Sequence, residues 1–161
     1  MKRKEALFGP GGNSRSFYDA GHKSTLEAPA YVRSMGLGAY EYEAGNGLSA
    51  GAESLLKIGQ AAKENGIELS LHAPYFISLS GVDPEKRLKS VTYIEKSVEA
   101  AVLLGADLVV IHTGSAGKIP REEALSLARD TLEKTLEVVG NAPVSLGLET
   151  MGKQNQLGTL A

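Results

Sequence analysis

Apolar and polar positions along the chain fall into short alternating runs separated by longer stretches of helical spacing. "GAYEYEA" (38–44) alternates aromatic with acidic residues, the pattern of a strand with two unlike faces. "ELSLHAPY" (68–75), "ADLVVIH" (106–112) and "VSLGLE" (144–149) read as further strands. The near-continuous "LVVI" suits a parallel strand covered on both sides. A short apolar "ALF" (6–8) is expected to form a first strand, and the Gly/Ser/Asn-rich "GPGGNSRSFYDAGHKS" (9–24) the loop that leaves it.

Between these runs the period changes to that of a helix. "TLEAPAYVRSMGL" (25–37) predicts a short helix, with Ser24 or Thr25 as its cap and Gly36 at its end. Residues 49–66 predict a second, capped by Ser49, burying Ala52, Leu55, Leu56 and Ala62, and ended by Gly66. Residues 83–105 predict a third, with Asp83 as cap, Pro84 at the first helical position and Gly105 as terminator. Its apolar stripe is read as Leu88, Val91, Ile94, Val98, Ala101 and Val102. Residues 120–140 repeat the pattern between Pro120 and Gly140, and the polar "TMGKQNQLGTLA" (150–161) follows the last strand.

Five strands separated by helical segments imply βαβ units, and so a parallel sheet with right-handed crossovers. Such a sheet is either open and doubly wound or closed into a barrel. No G-x-G-x-x-G or G-x-x-x-x-G-K-[ST] follows any strand, which removes the usual support for a nucleotide-binding open sheet.

Composition narrows the chemistry. With 161 residues and 42% hydrophobic content the chain can bury one core. Its 17 basic and 19 acidic residues give a net charge of -2, so no strong field announces a nucleic-acid or membrane partner. The absence of cysteine excludes disulfides, thiolate metal sites and thiol nucleophiles, so a metal would be held by nitrogen and oxygen. The basic opening lacks the apolar core of a secretion signal, and no run approaches the ~20 apolar residues that span a bilayer. A cytoplasmic location and no membrane partner are the expectation.

Three polar residues stand at three strand ends: His72, His112 and Glu149. Side-chain alternation places them with Ser70, Val110 and Gly147 respectively, and they are read as one layer. If those faces point into a barrel, two imidazoles and a carboxylate converge at its C-terminal mouth, where barrel enzymes keep their chemistry. Such a set can hold a divalent ion, Zn²⁺ or alternatively Mn²⁺ or Fe²⁺, with positions left for water or substrate. The bland alternative for each histidine is a satisfied packing residue. A buried carboxylate without a partner is costlier, which favours a role for Glu149. Glu41 and Glu43 either line the same mouth or face solvent. His22 reads as a surface residue, the charges of "PEKRLK" and "PREE" as solvated helix starts, and "HTGSAG" as a loop offering backbone N–H groups to an anion.

At these residues the chain resembles the endonuclease IV family, the AP endonuclease group within the xylose isomerase-like barrels. "LHAPYFISL" is similar to that family's third-strand motif, "VVIHTGS" to its H-P-G-S motif, and "LGLETMGKQNQLGT" to its E-N-x-A-G-x-G motif, in the same order. Thr113 and Thr150 replace the family's proline and asparagine, and "EAGNGLSAG" lacks the arginine common in DNA-inserting loops. The resemblance implies a zinc-dependent phosphodiesterase that cuts DNA at abasic sites. His72 and His112 would ligate one zinc, Glu149 would bridge it to a second and serve catalysis, and Tyr75 would enter the DNA at the lesion.

The fold so implied is α/β, a xylose isomerase-like (β/α)₈ TIM barrel. Because a whole barrel takes about 250 residues and eight strands, residues 1–161 are expected to be the N-terminal portion of a single barrel domain, an incomplete barrel of about five parallel strands without strands six to eight. Its open sheet edges would favour self-association. Two other functions compete with the nuclease: a sugar isomerase or epimerase of the same superfamily, favoured by the acidic "YEYEA" strand, and an inactive metal-binding fragment.

Overall fold

The computed structural model of the chain describes residues 6–159. Strands β1 (Ala39–Glu43), β2 (Glu68–His72), β3 (Leu108–His112) and β4 (Ser145–Glu149) pair in parallel, side by side in chain order. Before β1 come α1 (Arg15–Asp19), a 3₁₀ turn (Thr25–Glu27) and α2 (Ala28–Ser34); α3 (Ala52–Asn65), α4 (Pro84–Leu104) and α5 (Arg121–Val139) are the crossovers. A strand order that never reverses, with crossovers of one hand, puts every helix on the same side of the sheet. That is barrel winding; a doubly wound sheet reverses its order at a switch point.

Among the described residues the sheet holds four strands rather than five. Residues 6–8 form no strand; instead the backbone from Phe8 to Gly12 lies along the free edge of β1. The amides of Gly38 and Ala39 donate to the Phe8 carbonyl, Glu41 N–H donates to Pro10 O at 3.0 Å, and Gly12 N–H to Glu41 O at 2.9 Å. Only one bridge, Gly11 with Glu41, closes fully. Pro10 has no N–H to give to a ladder. A Cβ on Gly9 would fall 1.6 Å from the Ala39 carbonyl oxygen, so the chain can run this close only as glycine.

The two faces of the sheet are chemically distinct. Tyr40, Leu69, Leu71, Val109 and Ile111 point toward the helices and are buried against Leu55, Ile58, Ile94, Val98 and Leu104. The opposite face carries Glu41, Ser70, His72, Val110, His112, Gly147 and Glu149, all only partly buried. Hydrophobic burial therefore holds the sheet from outside, at about 1.5–3 kcal/mol for each fully buried large aliphatic side chain, and leaves the concave face free for polar groups.

Several local expectations shift by a turn or a face. Ser24 caps the 3₁₀ turn in a reciprocal capping box with Glu27, and Asp83 caps α4. Ser49 stands two residues too early, and Gly51 takes the cap of α3 without a side-chain bond. Pro120 is the cap residue of α5 rather than its first helical residue. In α4 the buried residues are Ser90, Val91, Ile94, Ser97, Val98, Ala100, Ala101 and Leu104, while Leu88 and Val102 are exposed; in α3 Leu56 also faces out. Serine is tolerated there because Ser90 Oγ and Ser97 Oγ donate to the carbonyls one turn back. The 9–24 segment is not all loop: Ser14 caps α1, which buries Phe17. No helix among the described residues is long and apolar enough to cross a membrane.

Helices α3 and α4 meet at a glycine. A Cβ on Gly59 would lie 2.4 Å from the backbone carbonyl oxygen of Leu104. Gly59→Ala adds up to about 1 kcal/mol of helix propensity but forces apart backbone that cannot give like a side-chain tip, at a cost of about 1–3 kcal/mol. Net destabilisation is expected, read as a lower urea midpoint at unchanged slope; an unchanged or raised midpoint would contradict this packing.

Candidate metal centre

The three strand-end residues come together, though not on one rung. His72 pairs across the sheet with Val110, and His112 with Glu149, so His72 sits two residues lower in the register than the other pair. The single-layer expectation is corrected by this stagger of the strands, which barrel closure requires. Side-chain reach closes the gap. Glu149 Oε2 lies 2.9 Å from His112 Nε2 and 3.3 Å from His72 Nε2, and the two imidazoles meet edge to face at 4.9 Å. One ligand atom from each of the three falls within 4.8 Å of the others, the one such group of His, Asp and Glu among the described residues.

Each side chain is placed by its strand. Gly147, two residues before Glu149, keeps the lumen clear beneath the carboxylate: a Cβ there would meet Leu108 Cδ1 at 2.9 Å. His72 is fixed further by its neighbour, because its Nδ1–H donates to the Ala73 carbonyl at 2.9 Å. A carbonyl can only accept, so the proton is on Nδ1 and a neutral His72 turns the Nε2 lone pair toward Glu149. A lone pair facing a carboxylate oxygen repels. The approach becomes attractive when Nε2 takes a second proton or when a cation lies between, and an imidazole so oriented by a carbonyl is how metal-binding histidines are commonly held. The donor set therefore fits a divalent ion.

Electrostatics around His72 point the same way. Burial opposes its charged form, but the Ala73 carbonyl, Glu149 and the nearby Glu43 and Glu41 together outweigh burial and hold its pKa above the ordinary imidazole value. Of the two placements expected for these acids, Glu41 takes the mouth, on the face that carries His72, while Glu43 is exposed to solvent. Ser70 Oγ donates to Glu41 Oε2 at 2.8 Å across the β1–β2 pair, on the face that carries His72.

The remaining candidates separate. Tyr75, 60% exposed, stands three residues past His72 with its edge against Phe76, which in turn packs on Tyr93. His22 stacks on Phe17 and lies 3.7 Å from Glu27, outside the cluster. Two amides of the "HTGSAG" loop are already taken within the protein: Ser115 N–H donates to Ser80 Oγ and Ala116 N–H to the Asn155 carbonyl. Those partners belong to loops that no residue pattern would bring together. Nor are the two helix-start arginines merely solvated. Arg87 donates to the carbonyls of Gly81 and Val82, and Arg121 reaches the 150–159 segment. Neither contact has a signal in the residue pattern beyond the charge itself.

Comparison with known proteins bears on the family and the fold. Residues 29–161 match the family model described as xylose isomerase-like TIM barrel. A probable endonuclease 4 of Acholeplasma laidlawii is 38% identical over 100 residues, which is 60% of this chain and 34% of that protein. Endonuclease IV from Thermus thermophilus superposes with a TM-score of 0.61 at 25% identity, over 84% of this chain and 50% of that one. D-psicose 3-epimerase from Clostridium cellulolyticum, solved with D-tagatose, superposes with a TM-score of 0.72 at 15% identity, over 86% and 50% of the two chains. The chain thus spans about a third of the Acholeplasma relative and half of each solved structure.

The raised pKa of His72 fixes a pH dependence for the metal-free chain. A group bound more tightly to its proton when folded stabilises fully below its unfolded pKa, about 6.5. That contribution is lost as pH rises through the higher folded value. Thermal unfolding across this range, wild type against His72→Ala, is expected to show a wild-type advantage that shrinks upward in pH. An advantage that grows instead would mean that the Ala73 and Glu149 contacts are not formed in solution.

Proposed function

Because the chain belongs to the xylose isomerase-like TIM barrel family, we propose that it carries the first part of a divalent-metal site in a barrel phosphodiesterase that cuts DNA at abasic positions. The observation that carries the metal site is the convergence of His72 Nε2, His112 Nε2 and Glu149 Oε2 at the C-terminal ends of three adjacent strands. What favours DNA over other substrates is the likeness to proteins named probable endonuclease 4. Residues 1–161 serve in this reading as the N-terminal portion of one barrel domain, and the relatives' further length would supply the rest of the centre.

His72, His112 and Glu149 would hold the ion, zinc by preference for two imidazoles and a carboxylate, with manganese as the substitute. When bound, the ion supplies Lewis-acid polarisation of a phosphoryl oxygen and acidifies a water. The chain's own residues do the rest. The Ala73 carbonyl keeps the His72 lone pair aimed, Glu149 neutralises charge between the imidazoles, and exposed Tyr75 beside the mouth offers a ring for an unstacked base.

A second reading, a sugar epimerase with the same metal residues, is favoured by one feature. Glu41 and Glu43 bring negative charge to the mouth near His72, which suits a polyhydroxy substrate better than a phosphodiester. The two readings separate in one experiment. Protein from the full reading frame, given zinc or manganese, is incubated with an abasic-site duplex and, separately, with ketoses in deuterated water. Chelator-sensitive incision, reduced at least about tenfold by Glu149→Ala, is expected. Metal-dependent deuterium uptake without incision would replace the nuclease with the epimerase.

A further inference from the structure

The residues after β4 form a closed loop that returns to the strand ends of the candidate metal centre, and a side chain of α5 helps fasten it. Met151 N–H donates to the Gly158 carbonyl, closing residues 151–158 on themselves directly after Glu149. The return limb is seated by Leu157, which is 1% exposed. Its N–H donates to the Gly114 carbonyl at 2.9 Å, and its carbonyl accepts Thr113 Oγ at 2.6 Å. Thr113 and Gly114 directly follow His112. The loop thus ties the end of the strand that bears Glu149 to the end of the strand that bears His112.

Gly158 is where this tie is tightest. It has φ +75, and a Cβ on it would lie 2.7 Å from Thr113 Oγ1 and 2.9 Å from the Glu149 carbonyl oxygen. Between its anchored ends the loop has further acceptors: the Asn155 carbonyl takes the Ala116 N–H, and those of Gln154 and Gln156 need other donors. Arg121, in the first turn of α5, provides them: Nη1 donates to Gln156 O at 3.0 Å and to Gln154 O at 3.4 Å, and Nη2 to Thr159 Oγ1 at 2.7 Å. A planar guanidinium can serve several acceptors in fixed geometry, which a lysine ammonium on a flexible stem cannot reproduce.

We propose that Arg121 is a positioning residue for the metal centre, latching the 150–159 loop so that Glu149 and His112 keep their mutual placement. It touches neither side chain and acts through the loop. The inference rests on the metal-site reading for its consequence but not for its geometry, and the test separates the two.

The first measurement needs no metal. Imidazole ¹H–¹⁵N spectra of the metal-free 161-residue chain at one pH are recorded for wild type, Arg121→Ala, Arg121→Lys and the surface control Lys134→Ala. Lys134 pairs with Asp130 one turn away on α5, far from the loop in sequence and outside its bonds. Shifted or broadened His112 nitrogen resonances in both Arg121 variants, with none in the control, are expected. Unchanged His112 resonances in Arg121→Ala, or full restoration by Arg121→Lys, would overturn the proposal.

The second measurement is zinc affinity by competition with a chelating dye. A loss of about tenfold in both Arg121 variants, at a temperature where they remain folded, is expected. A variant that unfolds earlier yet binds zinc within about twofold of wild type, well short of the loss of about tenfold or more expected for a positioning residue, would show a merely structural arginine and also overturn the proposal. Failure of the wild type itself to bind zinc would sink the metal reading; the imidazole spectra would still decide whether Arg121 sets the geometry of His112.

Discussion

One carboxylate oxygen shared between two imidazole nitrogens is the contact on which the functional surface is built. It joins the ends of β2, β3 and β4 across a register that would otherwise leave His72 a rung below its partners. The His72 half of the contact is favourable only with positive charge between Nε2 and the carboxylate, because the Ala73 carbonyl has already claimed the Nδ1 proton of His72. The fold therefore sets up an electrostatic demand. Surrounding Glu41 and Glu43 increase it, and no lysine or arginine is bonded into the cluster among the described residues to relieve it.

The rest of the molecule supports that demand. Apolar side chains on the convex face anchor the strands against α3 and α4, so the concave face can give its positions to polar groups. Glycines sit where chain must come close: Gly9 against Ala39, Gly59 against Leu104, and Gly147 below Glu149. The loops past the strand ends are bonded mainly to one another. Ser80 both donates to and accepts from Ser115, Thr113 holds Leu157, and Arg121 holds the outer limb. A rim stitched in this way ties the strand ends together, as the proposed metal centre would require.

Much of this is legible in the residue pattern, and what is not has identifiable causes. Period-2 and helical runs locate all four strands and the three long helices, because each is long enough for periodicity to outweigh local exceptions. The strand-end histidines and Glu149 stand out because polar residues interrupt otherwise apolar strands at equivalent places. The expected first strand fails at Pro10 and Gly9, where backbone chemistry overrides the apolar "ALF". A stripe for α4 through Leu88 and Val102 follows from counting hydrophobic residues and leaving serine out, although Ser90 and Ser97 satisfy themselves within the helix. Register is not written in any single strand, so the stagger of His72 has no local signal. The roles of Arg121 and Ser80 depend on loops that meet only in three dimensions.

The distance along the chain between His72 and Glu149, 77 residues, has a kinetic meaning. Contacts of such separation carry a large loop-closure entropy and form late in folding. On a ribosome, β2 and its histidine emerge long before the carboxylate that balances it. During that interval the imidazole is an ordinary solvated side chain with no partner to raise its affinity for a cation. On the proposed metal reading, capture of an ion would thus be a property of the finished sheet, and the nascent chain would be spared from binding stray metal before its fold is set.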